Sequence, residues 1–393
     1  MHANALPFDV VILGGGPAGL ATALALRQAR PASSVAVVTP APDNEPRVGE
    51  SVPPSIEPLL RQLGVLDKFL RQGHLPAFST AAAWGSPAPI SNEFFFNPHH
   101  RGWQLDRSDF ELMLAEAARD AGSFMLAGRF VDAELDKRGH WQIDVRTAQG
   151  ASRLTAGFVV DATGRRALFA TRAGARAVTC DALLGVVRFF AASSTSELRG
   201  VLVEACRDGW WYSAPLPRGG MVAAAMTDAP TARQRELATV EGWNAALVDA
   251  PYTMCRLNEG LRTAESRMRV TTARSQYLPA CTGHRWLAVG DSASTVDPLS
   301  SLGIVRALRF GLYAAYAIRD LLAGKPSGLA QYEALARRDR DSHLSVRAEV
   351  YGQEQRWIEA PFWASRRRSS APVARPLQNQ SFRIERTEPV LSS

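Results

Sequence analysis

The chain has 393 residues, of which 46% are hydrophobic and 21% are charged, and its formal net charge is +7. This composition is typical of a globular protein and excludes a largely disordered chain. Only three residues are lysines, and the many arginines are dispersed along the sequence. The dispersal disfavours a nucleic-acid-binding stripe and favours an acidic partner protein or an anionic cofactor.

The N-terminus and the cysteines indicate where the protein works. No stretch is apolar enough for a membrane span, and the N-terminus lacks the basic segment of a signal peptide, so we expect a cytoplasmic protein. The four cysteines lack disulfide or metal-ligand spacing. We therefore expect four buried, reduced thiols and no metal site; they are Cys180, Cys206, Cys255 and Cys281.

A β-α-β unit is predicted at the start of the chain. Residues 8–13 (FDVVIL) are a short apolar run that suits a buried parallel strand, and the turn 14–19 (GGGPAG) follows at once. A helix is predicted to about residue 30 and a second buried strand over 34–38. A glycine-rich turn between two strands, at the start of a helix, is typical of dinucleotide binding.

Each glycine of this turn has a predicted task. Gly14 permits the tight turn, Gly16 lets the backbone approach a pyrophosphate, and Gly19 lets helix and strand pack closely. The first helical turn, which contains Pro17 and Ala18, presents N–H groups and a positive dipole end to the phosphates. The acidic residue expected after the second strand is Thr39 here, so ribose binding must come from elsewhere or be weaker.

The middle and the end of the chain differ in character. Residues 183–190, 200–204, 210–216 and 221–227 are predicted strands rich in Val, Phe and Trp, which indicates an inserted antiparallel sheet. Helical periodicity returns after residue 291, with one helix over 302–323 and a second over about 329–350. Beyond residue 366 the sequence is polar, and we expect a loose tail.

Two further segments resemble parts of a flavin site. The first is 161–165 (DATGR), which follows a buried strand, and the second runs from Gly290-Asp291 to 297–304 (DPLSSLGI). An aspartate just after a strand can accept a ribityl hydroxyl. A glycine at the start of a helix can direct N–H groups at the flavin N1–C2=O edge, which is negative in the reduced flavin.

Together these segments resemble the FAD-dependent monooxygenase and halogenase superfamily, over about residues 7–350. The resemblance implies an α/β fold: a Rossmann-type FAD-binding domain like that of aromatic hydroxylases, with an inserted antiparallel β-sheet substrate domain and C-terminal helices. It implies a discontinuous FAD-binding domain (1–75, 101–178, 275–328), a substrate domain (76–100, 179–274), a C-terminal helical segment (329–365) and a polar tail (366–393).

The same resemblance implies the residues that contact FAD. Asp291 resembles the ribityl contact, Pro298 the residue beside the flavin ring, and Gly303 and Ile304 its backbone N–H donors. The remaining implied FAD contacts, besides the glycine-rich turn with Pro17 and Ala18, are Arg47, Glu50, Ser51, Arg107, Asp161 and Gly164.

Residues 49–54 (GESVPP) narrow the resemblance. They are similar to the segment that lies over the isoalloxazine in the halogenase-like branch. With 209–211 (GWW) and 297–304 they resemble flavin monooxygenases that hydroxylate a tryptophan within a partner polypeptide, the first step in building a tryptophylquinone cofactor. The implied substrate is a tryptophan in a small partner polypeptide, modified before export.

Three departures disfavour halogenation. Flavin halogenases carry a lysine about 30 residues after the GE motif, whereas no lysine lies between Lys68 and Lys137 here. Tryptophan halogenases place a glutamate where this chain has Ser300. In their GWxWxIP segment the second Trp and the Ile are replaced here by Tyr212 and Ala214.

Oxygen activation without hypohalite transfer remains. Reduced FAD would react with O2 to a C4a-hydroperoxide, which gives its terminal oxygen to an electron-rich ring, while the protein positions the ring and manages protons. Candidate catalytic residues are Glu50, Asp297 and Ser300; either carboxylate could deprotonate the ring intermediate or cap backbone N–H groups. Candidate substrate contacts, whose alternative is core packing, are Trp84, Trp210, Trp211 and Tyr212.

Other functions stay open. NAD(P)H or a partner flavin reductase could supply electrons, because 161–166 (DATGRR) only partly fits an NADPH-binding segment. The alternatives to peptidyl hydroxylation are hydroxylation of a free indole or phenol, halogenation, reduction of a prenyl alkene, and a non-catalytic flavoprotein scaffold.

Overall fold

The computed structural model describes residues 6–41, 51–190, 200–257 and 268–368. The strands are, in chain order, β1 (Leu6–Leu13), β2 (Val35–Thr39), β3 (Ser51–Val52), β4 (Leu75–Ala77), β5 (Ser79–Ala83), β6 (Ile90–Glu93), β7 (Gly102–Gln104), β8 (Phe124–Ala127), β9 (Arg129–Leu135), β10 (Trp141–Thr147), β11 (Gly150–Asp161), β12 (Val178–Thr179), β13 (Leu183–Phe190), β14 (Val201–Cys206), β15 (Gly209–Pro215), β16 (Met221–Asp228), β17 (Arg269–Thr272), β18 (Gln276–Tyr277), β19 (Thr282–Gly283), β20 (Trp286–Ala288) and β21 (Ser294–Thr295). The helices are α1 (Pro17–Ala29), α2 (Ile56–Gln62), α3 (Leu66–Leu70), α4 (Arg107–Asp120), α5 (Leu168–Arg172), α6 (Ala229–Gln234), α7 (Val240–Leu247), α8 (Pro251–Leu257), α9 (Gly303–Leu322), α10 (Ser327–Gln353) and α11 (Pro361–Arg368).

The first sheet has the order β19-β20-β11-β1-β2-β8, and β9 and β10 extend it from β11. The neighbours β20, β11, β1, β2 and β8 run parallel, so their carboxyl ends lie at one edge. Helix α1 buries nine consecutive residues because it lies between this sheet and α9. The apolar runs of β1 and β2 are therefore covered on both faces, as the sequence predicted.

The second sheet has the order β17-β13-β16-β15-β14-β5-β6. It is antiparallel as predicted, apart from β14 and β5, which pair in parallel and join residues 79–93 to the inserted strands. Side chains alternate between its two faces. One face packs under α10 and α11, and the other packs under α6, α7 and α8.

Most predicted elements are confirmed. The β-α-β unit is β1, α1 and β2, and the four predicted inserted strands are β13 to β16. The two predicted C-terminal helices are α9 and α10. The predicted domain limits stay a prediction, although β5, β6 and β13 to β17 share one sheet while β1, β2, β8 to β11, β19 and β20 share the other.

The predicted start of a loose tail at residue 366 is wrong, because α11 continues to Arg368. Arg366 is nearly fully buried. Its guanidinium donates two hydrogen bonds to the Asp228 carboxylate, at 2.9 and 2.7 Å, and lies over the Phe362 ring. The end of the described chain therefore closes one face of the second sheet.

The cysteines differ from the prediction. Cys206 and Cys281 are buried, and burial raises the pKa of each thiol to about 12. Cys255, however, is exposed, and Cys180 is half-buried. No helix in the described part of the chain has the length and apolarity needed to cross a membrane.

We expect Arg366→Ala to lower the free energy of unfolding by about 3 kcal/mol, because it leaves the Asp228 carboxylate without its buried counter-charge. The matched control is Arg153→Ala, which removes an exposed arginine paired with Asp144 at 2.7 and 2.9 Å. The control should cost less than about 1 kcal/mol. Urea unfolding followed by tryptophan fluorescence measures both, and equal losses would contradict the prediction.

Candidate functional site

Three segments meet at the carboxyl ends of adjacent parallel strands. They are residues 14–19 after β1, 161–165 from the last residue of β11 onward, and 290–291 after β20. The Ser292 hydroxyl donates to the Gly164 carbonyl at 3.2 Å, and Arg165 Nε lies 3.5 Å from Asp291 Oδ2. Ligands of open α/β sheets bind at this edge. The segments that the sequence assigned to one site are therefore neighbours.

The glycines of the first turn serve different needs. Gly14 has φ +120°, and a Cβ there would overlap the Ala162 carbonyl oxygen; a Cβ at Gly19 would overlap the Gly14 carbonyl oxygen. Both must be glycine for the protein to pack. Gly16, by contrast, has an ordinary φ of −81°, and a Cβ there would meet nothing within 4 Å. Packing within the protein does not require a glycine at 16, which fits the close approach of a ligand.

The start of α1 offers donors to such a ligand. Its N-cap, Gly16, makes no side-chain capping bond, and Pro17 occupies the first helical position. The first-turn N–H groups therefore have no side-chain cap, and the helix dipole favours an anion there. Ala18 is buried against Gly290, where a Cβ would crowd the Ala18 methyl. A pyrophosphate fits this turn.

A second helix starts at the same edge. Pro298–Ser300 is a 3-10 turn, Ser301 has φ +52°, and α9 begins at Gly303 without a side-chain cap. A Cβ at Gly303 would meet nothing within 4 Å, and Ile304 is buried. The pattern repeats that of Gly16, so the start of α9 also fits N–H groups directed at a ligand. Gly303 also lines a hollow with Gly290 and Asp291.

The contacts of Asp161 argue against its predicted role as a FAD contact. Its side chain is fully buried at the end of β11. One carboxylate oxygen accepts from the backbone N–H and hydroxyl of Thr163, at 2.9 and 2.7 Å, and the other accepts from the Ala170 N–H at 2.7 Å. Asp161 thus holds the turn in place. Gly164, with φ +74° and open space beside it, remains a candidate for a ligand contact.

The contacts of Asp297 argue against a role as general base. Its carboxylate caps the 3-10 turn by accepting from Leu299 N–H at 3.1 Å, and it accepts from Arg347 Nε at 3.1 Å and the Tyr351 hydroxyl at 2.9 Å. A buried carboxylate that accepts three hydrogen bonds, one of them from a guanidinium, is held in one position. The Ser300 hydroxyl donates to the Asp297 carbonyl at 3.1 Å. Ser300 therefore stabilises the same turn.

Three of the four predicted aromatic contacts belong to the core. Trp84 and Trp210 lie beneath α10 and α11, and Trp84 Nε1 donates to the Val350 carbonyl at 2.7 Å. Trp211 points to the opposite face and packs edge-on against Trp243. All three are at most 4% exposed, so they offer almost no surface to a substrate. Core packing, the alternative stated for them, is what the structure shows.

Tyr212 is different, because its side chain reaches out of the second sheet to Ser51, a predicted FAD contact. Its hydroxyl lies 2.6 Å from Ser51 Oγ, and Ser51 Oγ donates to Gln104 Oε1 at 2.6 Å. Because the single Ser51 proton is used on Gln104, Tyr212 must be the donor to Ser51. This chain of hydrogen bonds joins β15 of the second sheet to β3 and β7, which belong to a separate three-stranded sheet.

Sequence reasoning missed Gln104 and His74. Gln104 is 1% exposed, and its Nε2 has no hydrogen-bond partner, which is costly for a buried amide unless a ligand supplies an acceptor. Nδ1 of His74 accepts from the Asp106 N–H at 3.1 Å, so Nε2 carries the proton; burial lowers the pKa of this imidazole. The only sequence signal was the position of Gln104 next to residues 105–107 (LDR), and nothing in the local sequence marks His74.

The remaining predicted contacts have mixed positions. Arg107 begins α4 and pairs with Glu111 at 2.5 Å, while the N-cap Asp106 accepts from two backbone N–H groups. Thr39, at the end of β2, packs so closely against Gly15 that a Cβ at position 15 would overlap the Thr39 side chain. Arg47 and Glu50 lie outside the described residues. The predicted FAD contacts of Arg47, Glu50, Ser51 and Arg107 stay predictions.

All three lysines of the chain lie away from this site. Lys68 is on α3, is 44% exposed and pairs with Asp120 at 2.9 Å. Lys137 is exposed in the turn between β9 and β10, and Lys325 is exposed after the end of α9. Among the described residues, no group of three or more His, Cys, Asp or Glu side chains could hold a metal ion.

The comparisons with known proteins agree with this geometry. A family model described as "FAD binding domain" matches residues 7–344. The chain is 28% identical over 368 residues to LodB of Marinomonas mediterranea, described as an FAD-dependent oxidoreductase, and the match covers 93% of this chain and 98% of LodB.

Two solved structures have the same fold. CmlS, a flavin-dependent halogenase, superposes with a TM-score of 0.81 at 23% identity over 93% of this chain and 68% of CmlS. QhpG, a peptidyl tryptophan dihydroxylase essential for tryptophylquinone cofactor biogenesis, superposes with a TM-score of 0.70 at 27% identity over 92% of this chain and 78% of QhpG.

We expect Gly16→Val to weaken FAD binding by tenfold or more, about 1.4 kcal/mol, because its side chain would fill the space that the pyrophosphate needs. The matched control is Gly352→Val on α10, where a Cβ likewise meets nothing within 4 Å. Titration of the apoprotein with FAD, followed by flavin fluorescence, measures both variants. Wild-type affinity in Gly16→Val would refute the assignment of this turn.

Proposed function

The chain belongs to the FAD binding domain family, and we propose that it is a monooxygenase that hydroxylates a tryptophan in a partner polypeptide. The fold is that of FAD-dependent hydroxylases and halogenases, which are flavin enzymes that use O2. The position of the lysines favours hydroxylation over halogenation. The likeness to QhpG and the exposed aromatic rings favour a protein substrate over a free metabolite.

The position of the lysines carries the choice of hydroxylation. A halogenase needs an amine close to the substrate to relay the halogen, and each of the three lysines in this chain is exposed and remote from the site. Tyr212 also occupies the position of a halogenase tryptophan, and its hydroxyl is bonded to Ser51. The position that halogenases fill with an indole is therefore tied here to Ser51, a predicted FAD contact.

The chain's own groups have these tasks in the proposed reaction. The start of α1 would hold the pyrophosphate of FAD and the start of α9 its flavin ring, both by backbone N–H groups and helix dipoles. Bound FAD supplies the oxygen-activating chemistry, with O2 as co-substrate and electrons from NAD(P)H or a partner reductase. Because Asp297 is committed to Arg347 and Tyr351, we assign the proton transfer to Glu50.

The protein substrate is supported by similarity and by the surface beside the site. The likeness to QhpG extends over 92% of the chain. In addition, the 3-10 turn Phe94–Phe96 leaves Phe95 73% and Phe96 91% exposed, and the Phe94 ring lies against Gly102 of β7. Exposed aromatic rings next to a site suit contact with a polypeptide. The net charge of +7 would steer an acidic partner, which we propose is modified in the cytoplasm.

Co-expression with the products of neighbouring genes, followed by intact-mass analysis, tests the proposal. We expect a partner tryptophan to gain about 16 or 32 Da, one or two oxygen atoms, only when this chain retains its FAD. The Gly16→Val variant is the matched control and should leave the partner unchanged. Oxidation of a free indole without any change in the partner would favour the small-molecule hydroxylase. Incorporation of added bromide would instead favour a halogenase.

We expect Tyr212→Phe to lower kcat/KM for the partner about fivefold to tenfold while FAD affinity stays unchanged. The loss corresponds to about 1 kcal/mol for the hydrogen bond to Ser51. The matched control is Tyr316→Phe, since the Tyr316 hydroxyl accepts a hydrogen bond from Gln62 at 2.9 Å on the exposed surface. If Tyr212→Phe retained full activity, the hydrogen bond to Ser51 would have no part in the reaction.

A further inference from the structure

Asp297 is the meeting point of three parts of the protein. It precedes the turn that leads to Gly303, where α9 begins at the edge that we propose for the flavin. Its carboxylate is bound by Arg347 and Tyr351, which are one helical turn apart on α10. The side chain is 5% exposed, so these contacts form away from bulk water.

Arg347 and Tyr351 each have a second partner in the inserted domain. Arg347 Nη2 lies 3.1 Å from Asp181 Oδ2, and Asp181 in turn accepts from the Leu183 N–H at the start of β13. The Tyr351 hydroxyl accepts from Trp210 Nε1 at 3.0 Å. A single helix face therefore links the loop before α9 to the second sheet.

The charges in this network are fixed. Burial alone would lower the pKa of Arg347, but the carboxylates of Asp297 and Asp181 raise it above its ordinary value. Burial, and then the negative charge of Asp297, raise the pKa of Tyr351 well above its usual range. Arg347 therefore stays a cation and Tyr351 a neutral donor, and both point their hydrogen atoms at Asp297.

We propose that Arg347 and Tyr351 are positioning residues for the flavin. They hold the loop 297–303, and with it the N–H groups at the start of α9, in place against the cofactor. Since the N1–C2=O edge becomes negative on reduction, the α9 dipole stabilises reduced FAD more than oxidised FAD. A loop that loses these two donors should therefore lower the reduction potential of the bound flavin.

The test is the midpoint potential of bound FAD in the Tyr351→Phe holoenzyme. This variant keeps the ring packed against Trp84 and Trp363 but removes the hydroxyl. We expect reduced FAD to lose affinity tenfold relative to oxidised FAD, which lowers the two-electron potential by about 30 mV. The potential does not depend on the substrate, so this result stands or falls separately from peptidyl hydroxylation.

Trp363→Phe is the matched control, because Trp363 lies in the same aromatic cluster but donates to the carbonyls of Cys206 and Arg207. It should lower stability and leave the potential unchanged. Equal shifts in Trp363→Phe and Tyr351→Phe, or no shift in Tyr351→Phe, would overturn the proposal. If Tyr351→Phe does not fold, Asp181→Asn decides: a lower potential supports the proposal and an unchanged one refutes it.

Discussion

The close approach of two backbones, at Gly14 and Ala162, is the constraint on which the rest of the structure depends. In the parallel register Leu13 faces Asp161, so β1 and β11 end at the same level and their loops must share one space. Only a residue without Cβ fits at position 14, since any side chain would overlap the Ala162 carbonyl. The Asp161 carboxylate then holds the loop after β11 in place by accepting hydrogen bonds from the Thr163 and Ala170 N–H groups. The cofactor edge is thus set by main-chain geometry.

Because main-chain geometry sets this edge of the sheet, the parts of the site that depend on glycine could be predicted from the sequence. Gly14, Gly16, Gly19 and Gly303 act through the absence of a side chain, and a strand followed by glycines at fixed spacing shows that need directly. The fold follows from the same patterns, because runs such as FDVVIL are buried on both faces of a parallel sheet.

The parts that could not be predicted depend on contacts between distant segments. Ser51 is separated from Gln104 by 53 residues and from Tyr212 by 161, and nothing in either local sequence shows that they meet. The alternation of β15 indicates that Trp210 and Trp211 face opposite sides. It does not indicate that helices cover both sides. The partners of Asp297 are also distant in sequence. Arg347 and Tyr351 lie on α10, and the sequence pattern of this region predicts a helix but not its contact with Asp297.

The buried pair of Arg366 and Asp228 has a consequence for synthesis. Chains emerge from the ribosome N-terminus first, and domains generally fold as they appear. Here one face of the second sheet, with Trp84 and Trp210, lacks its full cover until α10 and α11 have been made. During most of translation that apolar face is therefore exposed to aggregation or to chaperones. A chain that ended before α11 would keep every predicted flavin-binding segment and still leave part of this aromatic surface uncovered.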